Sequence, residues 1–244
     1  MNALTGYIEN ARILLLRALE EQQGALERAA RLVMECVTGG GLLYAFGTGH
    51  SHMLAEELFY RAGGLAACCP ILDEKLMLHA SATGSTQWER TPGNAERLLR
   101  EYPCAKGDVM LVCSNSGRNA APVEMAACAK ARGMSVIALT NVAHSGAVSP
   151  RNPQGLRLFE LADVVLDNCG AIGDACMDVG IGRSVGATST VVGAALLEAV
   201  ACRAIELAAQ MNRPVDVYSS GNVDAGDEIN ERILGAYRSR IRFL

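Results

Sequence analysis

A chain of 244 residues, half of them hydrophobic, can bury a sizeable core. Its formal charge of −4 and pI near 5.6 exclude the long-range attraction on which nucleic-acid or anionic-membrane binding depends. Arg12, Arg17 and Glu20 break up the start of the chain, which lacks the pattern of a secretory leader, and Glu198, Arg203 and Glu206 interrupt the apolar stretch Val191 to Met211, so no membrane span is expected. The expected location is cytoplasmic.

The nine cysteines fit a reducing compartment: their number is odd, Cys68 and Cys69 are adjacent, and Cys36, Cys113, Cys128 and Cys202 lie within apolar runs, as small buried hydrophobes do. No Cys-x-x-Cys or His-x-x-x-His spacing supports a zinc site, and no cofactor or metal is expected. Of the four histidines, His50 and His52 form the one close pair.

In chain order, Ile8, Leu15, Leu19 and Leu26, with Arg17, Glu20, Glu21 and Gln22 between them, predict an amphipathic helix from about Leu4 to Val37. A helix of that length ahead of the first strand invites packing against another subunit, and Gly39-Gly40-Gly41 ends it. Strands and helices then alternate. A strand at Leu42 to Phe46 precedes a helix from Ser51 to Ala62, a strand at Ala66 to Ile71, an irregular span to Pro92 and a short helix to Arg100. A second set follows: strand Val109 to Cys113, helix Asn119 to Arg132, strand Ser135 to Leu139 and strand Asp163 to Asp167. Helices at Ser189 to Met211 and Asp227 to Arg242 close the chain, joined by Pro214 to Asn222. The apolar runs are continuous, as in parallel strands covered on both faces. The expected fold is α/β: one doubly wound, mostly parallel five-stranded sheet flanked by helices, with a lead-in over 1–38, a core over 39–211 and a C-terminal segment over 212–244.

Two turns carry the chemistry. Gly47-Thr48-Gly49-His50-Ser51 follows the first strand, and Ser114-Asn115-Ser116-Gly117 follows the strand ending at Cys113. At such strand-to-helix junctions free N–H groups, hydroxyls and a helix dipole converge on one anion-sized space, so both read as phosphate cradles. Each has a plainer reading, as a tight turn or as N-capping serines, but two hydroxyls flanking one residue exceed what a cap uses. Nucleotide binding is disfavoured, because the spacing is not Gly-x-Gly-x-x-Gly and no P-loop Lys-Ser or Lys-Thr follows.

These residues resemble the sugar isomerase (SIS) domain family, a doubly wound α/β fold that binds phosphosugars. The resemblance runs from about Gly41 to Leu207 and rests on Ser114-x-Ser116-Gly117 directly after a strand, with Asn119 where the family places a threonine or serine, and on Gly47-x-Gly49-x-Ser51. It implies that Ser51, Ser114, Ser116 and Asn119 hold a phosphate, with Gly117 shaping the turn and Thr48 and His50 near the sugar. It also implies a homodimer or homotetramer that isomerises a sugar phosphate between aldose and ketose forms. An etherase-type elimination and a non-catalytic sensor acting through a protein partner are the alternatives. Phosphoheptose isomerases of the family carry a histidine six residues beyond the first-turn serine and a glutamate four further on; here those positions hold Glu57 and Arg61.

Isomerisation needs a group that moves a proton between C1 and C2. Glu57 is the first candidate, although Glu57 and Arg61 are also spaced as an ordinary i,i+4 ion pair. His79 and Glu89, in the Ser- and Thr-rich span from Leu76 to Thr91, form the second. Glu198, isolated on an apolar helix, is either functional or paired with Arg203 or a neighbouring subunit. Asn222 and Asp224 are further candidates, and Asp224, Asp227 and Glu228 cap the last helix in the simpler reading.

Overall fold

The computed structural model describes residues 2–244. The long lead-in helix α1 spans Ala3–Thr38, capped by the Asn2 side chain, which accepts from the Thr5 N–H. It bends at Gln22, where φ is −133° and ψ 26°. The Gln22 amide leaves the helix there to bond both the carbonyl and the N–H of Asp167. The face that α1 buries is made of Ala11, Ala18, Leu26, Ala29, Ala30 and Val33, while Ile8 and Leu19, expected on that face, are exposed. Alanines face inward because α1 packs closely along a second long helix, and small side chains permit that approach.

The chain then enters β1 (Leu43–Gly47), a single 3₁₀ turn (Gly49–Ser51) and α2 (His52–Glu57). This helix stops at Glu57, short of the expected Ala62, because the chain turns away through Tyr60 at a φ of +49°. Strand β2 covers Cys68–Ile71. The span expected to be irregular holds α3 (Ala82–Arg90), whose N-cap Ser81 accepts from the Gly84 N–H at 3.1 Å. It was hidden by Thr83, Gly84 and Thr86, poor helix formers in an interior. Then come α4 (Asn94–Leu99), β3 (Val109–Cys113), α5 (Ala120–Ala131), β4 (Ser135–Thr140), α6 (Val142–Ala147), α7 (Leu158–Leu161) and β5 (Val164–Asp167). An antiparallel hairpin of β6 (Ala175–Asp178) and β7 (Ser184–Ala187) precedes α8 (Ser189–Gln210), and α9 (Gly226–Tyr237) closes the fold. The two short helices and the hairpin carry too few apolar residues to show a period.

The main sheet has five strands in the order β2-β1-β3-β4-β5, every pairing parallel. Leu43, Leu111, Ile137 and Leu166 face Val33 of α1 and Leu197 and Val200 of α8. Burial on both faces explains the unbroken apolar runs. Cys68, Cys69 and Cys113 are buried, and burial pushes their thiols up; Cys128 is only partly covered and Cys202 is exposed, because each points outward from its helix.

Asp108 ties the sheet together ahead of β3. Its buried carboxylate accepts from the N–H of Leu42 and of Ala105, both at 2.8 Å. Asp108→Ala leaves the buried Leu42 N–H unpartnered while the exposed Ala105 N–H turns to solvent, and is expected to cost roughly 1–3 kcal/mol, the penalty of one orphaned group, read as a lower urea midpoint at unchanged slope.

Candidate functional site

In the order β2-β1-β3-β4-β5, β1 and β3 are neighbours from which the chain departs in opposite directions. The carboxyl ends of two such strands form the crevice where ligands bind in open α/β sheets. Both predicted turns open into it. Gly47 ends β1 where no side chain fits: a Cβ there would collide with the carbonyl of Ser51 and lie 2.8 Å from the His52 nitrogen. Thr48 is buried, Gly49 turns at a φ of +56°, and His50 is exposed. The buried His52 ring bonds the Gly49 carbonyl through Nδ1 and lies 3.8 Å from the Glu56 carboxylate through Nε2, which fixes the end of the turn.

The second turn is held as firmly. The Ser114 N–H donates to the Leu139 carbonyl at 3.0 Å, and the Gly117 N–H donates to the Ser114 hydroxyl at 3.2 Å. Gly117 adopts a φ of +55°, and a Cβ on it would lie 3.1 Å from both Leu158 Cβ and Ser145 Oγ. Asn119 is at the N-cap of α5 yet makes no capping bond, and its buried Oδ1 has no partner among the described residues. Ser51, at the start of α2, and Thr188, at the start of α8, likewise make no side-chain cap.

Ser51 and Ser114 line one concavity together with Leu54, Asn115, Leu139, Asn168, Ser189 and Thr190. Asn168 Nδ2 donates to Asn115 Oδ1 at 2.8 Å. Gly193 lets α8 come this close, since a Cβ there would lie 3.0 Å from Leu139 and 3.2 Å from Leu54. Asp174 accepts from the N–H groups of Thr188 and Ser189 and from the Ser189 hydroxyl, the last at 2.6 Å, and so holds the first turn of α8 in place. Asn168, Thr190 and Asp174 were missing from the sequence reading. The signal for the α8 wall was the Ser189-Thr190 pair opening a helix, the same hydroxyl-before-helix pattern that marked the other two turns.

Ser116 and Gly117 stand in the same turn as Ser114, beside the concavity. The proton-transfer candidates lie further out. Glu57, partly exposed, bonds Arg61, whose Nη1 also lies 3.7 Å from Glu198 Oε1. Burial raises the Glu198 carboxyl above its ordinary range, partly offset by Arg61. His79 is exposed just before α3, with its ring centroid 6.4 Å from that of His52, and Glu89 lies half-buried on α3. Among the described residues, no three His, Cys, Asp or Glu side chains gather as a metal site, and no helix is long and apolar enough to cross a membrane.

The SIS domain family model matches residues 6–141, more than half of the chain. The chain belongs to the SIS domain family. It is 38% identical over its whole length to a UPF0309 protein of Shouchella clausii, which it also covers completely. The fold is similar to that of phosphoheptose isomerase GmhA from Neisseria gonorrhoeae, with a TM-score of 0.54 at 18% identity over 82% of this chain and 96% of that one. It is also similar to the Vibrio vulnificus NanR protein complexed with ManNAc-6P, with a TM-score of 0.51 at 17% identity over 96% of this chain and 70% of that one. The SIS fold thus confirms the expected doubly wound sheet and its long N-terminal helix.

Proposed function

We propose that this SIS-domain chain binds a phosphorylated sugar at the carboxyl ends of β1 and β3 and isomerises it between aldose and ketose in the cytoplasm. The observation that carries the reading is the concavity walled by Ser51, Ser114 and the start of α8, at the strand-order reversal and beside the starts of α2 and α5, whose cap residues make no side-chain capping bond. Hydroxyl donors and free backbone N–H groups in that arrangement suit a phosphate dianion. In this reading Ser51, Ser114, Ser116 and Asn119 hold the phosphate, Gly117 gives its turn the required backbone, and Thr48 and His50 meet the sugar. The ManNAc-6P bound by the similarly folded NanR supports that ligand class.

Catalysis then requires one group to take the proton from C2 of the open-chain aldose and return it to C1, while a proton passes from O2 to O1 through the enediolate. His79, whose ring centroid lies 6.4 Å from that of the His52 that ends the first turn, is the better placed candidate, and Glu89, near the far end of α3, is the second member of that pair. Glu57 is the alternative, and its bond to Arg61 would have to open first. Assembly as a homodimer or homotetramer is supported by the exposed Leu4, Ile8, Leu16 and Leu19 on α1 and Ile181 on the hairpin, apolar side chains a second copy would cover.

Proton NMR in D₂O tests the chemistry. An aldose–ketose isomerase exchanges the C1 or C2 hydrogen of its sugar phosphate with solvent. His79→Gln is expected to lower that exchange 100-fold or more, in line with roughly 10²–10⁴ for a general base, while leaving ligand affinity unchanged. Loss on Glu57→Gln alone would transfer the role to Glu57. No exchange with any bound sugar phosphate would make the protein a sensor, and release of a side-group alcohol would make it an etherase.

A further inference from the structure

Arg118 follows Ser116 and Gly117 directly, so it leaves the second turn on the rim of the crevice. The chain returns to this place later: the Arg151 N–H donates to the Arg118 carbonyl at 2.7 Å, the Asn152 amide donates to the same oxygen at 3.0 Å, and Asn119 and Arg151 form an isolated parallel bridge. Arg90, at the end of α3, approaches from the other side, where α3 packs on α5.

Three guanidiniums therefore gather where nothing neutralises them. Arg157, the fourth in the group, pairs with Glu160 at 3.8 Å and donates to the carbonyls of Ser145 and Val148. Arg90, Arg118 and Arg151 pair with no carboxylate among the described residues, although arginine–carboxylate pairs are frequent elsewhere in the chain. The nearby Glu124 turns instead to the Gly93 N–H, at 2.8 Å. Burial, followed by the charges of Arg151, Arg90 and Arg157, lowers the Arg118 pKa, so the group carries unrelieved repulsion. Arg118 Nε is also buried without a hydrogen-bond partner. A buried donor normally finds an acceptor, so this one is laid out for an acceptor that is not part of the chain.

We propose that Arg118, Arg151 and Arg90 form a second anion subsite beside the phosphate turn, and that the substrate is a sugar phosphate carrying a second anionic group, a carboxylate or a second phosphate. The inference rests on the phosphosugar reading and sharpens it. Planar guanidiniums suit either oxyanion, which they grip with paired N–H donors. A singly phosphorylated neutral sugar would leave the arginines unpaired and forgo that attraction.

Calorimetric titration of the full chain with matched ligands tests this: ribose 5-phosphate against 5-phosphoribonate, glucose 6-phosphate against 6-phosphogluconate, and fructose 6-phosphate against fructose 1,6-bisphosphate, with inorganic phosphate as the minimal probe. Each pair shares its carbon chain and first phosphate, and its second member adds the second anion, the aldonates being open-chain as well. At least one doubly anionic ligand is expected to bind tenfold or more tightly than its partner. The aldonates and the bisphosphate separate carboxylate from phosphate. Arg118→Met and, separately, Arg151→Met are expected to abolish that excess while changing the affinity of the singly anionic partner less than threefold. The melting temperature is expected to stay level or rise, because repulsion is relieved.

Equal affinity within every pair would overturn the proposal. So would variants that weaken both members of a pair alike, since the arginines would then belong to the phosphate site itself. A change in oligomer size on Arg118→Met, read by light scattering, would assign the cluster to a carboxylate of a second copy. If no pair binds and inorganic phosphate does not bind either, the phosphosugar reading falls, and the second subsite with it.

Discussion

Gly47→Ala is expected to destabilise the protein by about 3 kcal/mol or more, the upper part of the range for overpacking. The cause is contact with backbone, which has no rotamer to escape into: the new methyl would overlap the Ser51 carbonyl and press on the His52 nitrogen. Relief requires the 3₁₀ turn to move away from β1, and that turn carries Ser51 into the crevice. Binding of sugar phosphate should therefore fall along with stability. Gly49→Ala, two residues on, separates the causes. Its added Cβ meets nothing within 4 Å, so only the φ of +56° opposes it, at about 1–2 kcal/mol. Urea unfolding of the two variants checks the order. A Gly47→Ala protein as stable as the parent would show that the turn is not packed as described.

The second large effect concerns binding. Hydrogen bonds to a charged group contribute roughly 1.5–3 kcal/mol each, so replacing both Ser51 and Ser114 by alanine is expected to weaken sugar-phosphate affinity by about 100-fold or more. Ser114→Ala carries an additional cost in stability, because the Gly117 N–H loses its acceptor at 3.2 Å. Ser51 makes no side-chain cap and should cost almost nothing in stability. Calorimetric titration of the two single variants and the double variant separates these contributions.

The strands and the two turns were legible because their signals are local. Leu43 to Gly47 and Val109 to Cys113 are continuous apolar runs, and the glycines and serines that follow have few uses other than a tight turn. The far wall of the crevice was less legible. Asn168 and Thr190 reach it only because Gly193 lets α8 settle against Leu54 and Leu139, and no periodicity encodes such an approach. Asp174 sits in a positive-φ turn just before the hairpin, where the sequence carries no strand pattern. The lead-in helix shows the opposite failure. Its larger apolar residues, Ile8 and Leu19, suggested the inward face, yet the fold buries Ala11 and Ala18 and leaves the larger ones exposed. Hydrophobicity alone does not say whether an apolar face meets its own core or another chain.

Thermal melting of the intact protein with a panel of sugar phosphates and the matching free sugars tests the central claim most directly. A ligand at about 100 times its Kd stabilises by about 2.7 kcal/mol, which for a chain of this size raises the melting temperature by roughly 5–10 °C. At least one sugar phosphate is expected to produce that rise and its free sugar none, with the rise lost in the Ser51→Ala/Ser114→Ala double variant. Melting temperatures unmoved by every sugar phosphate, or raised equally by the free sugars, would contradict a phosphate site between the two turns.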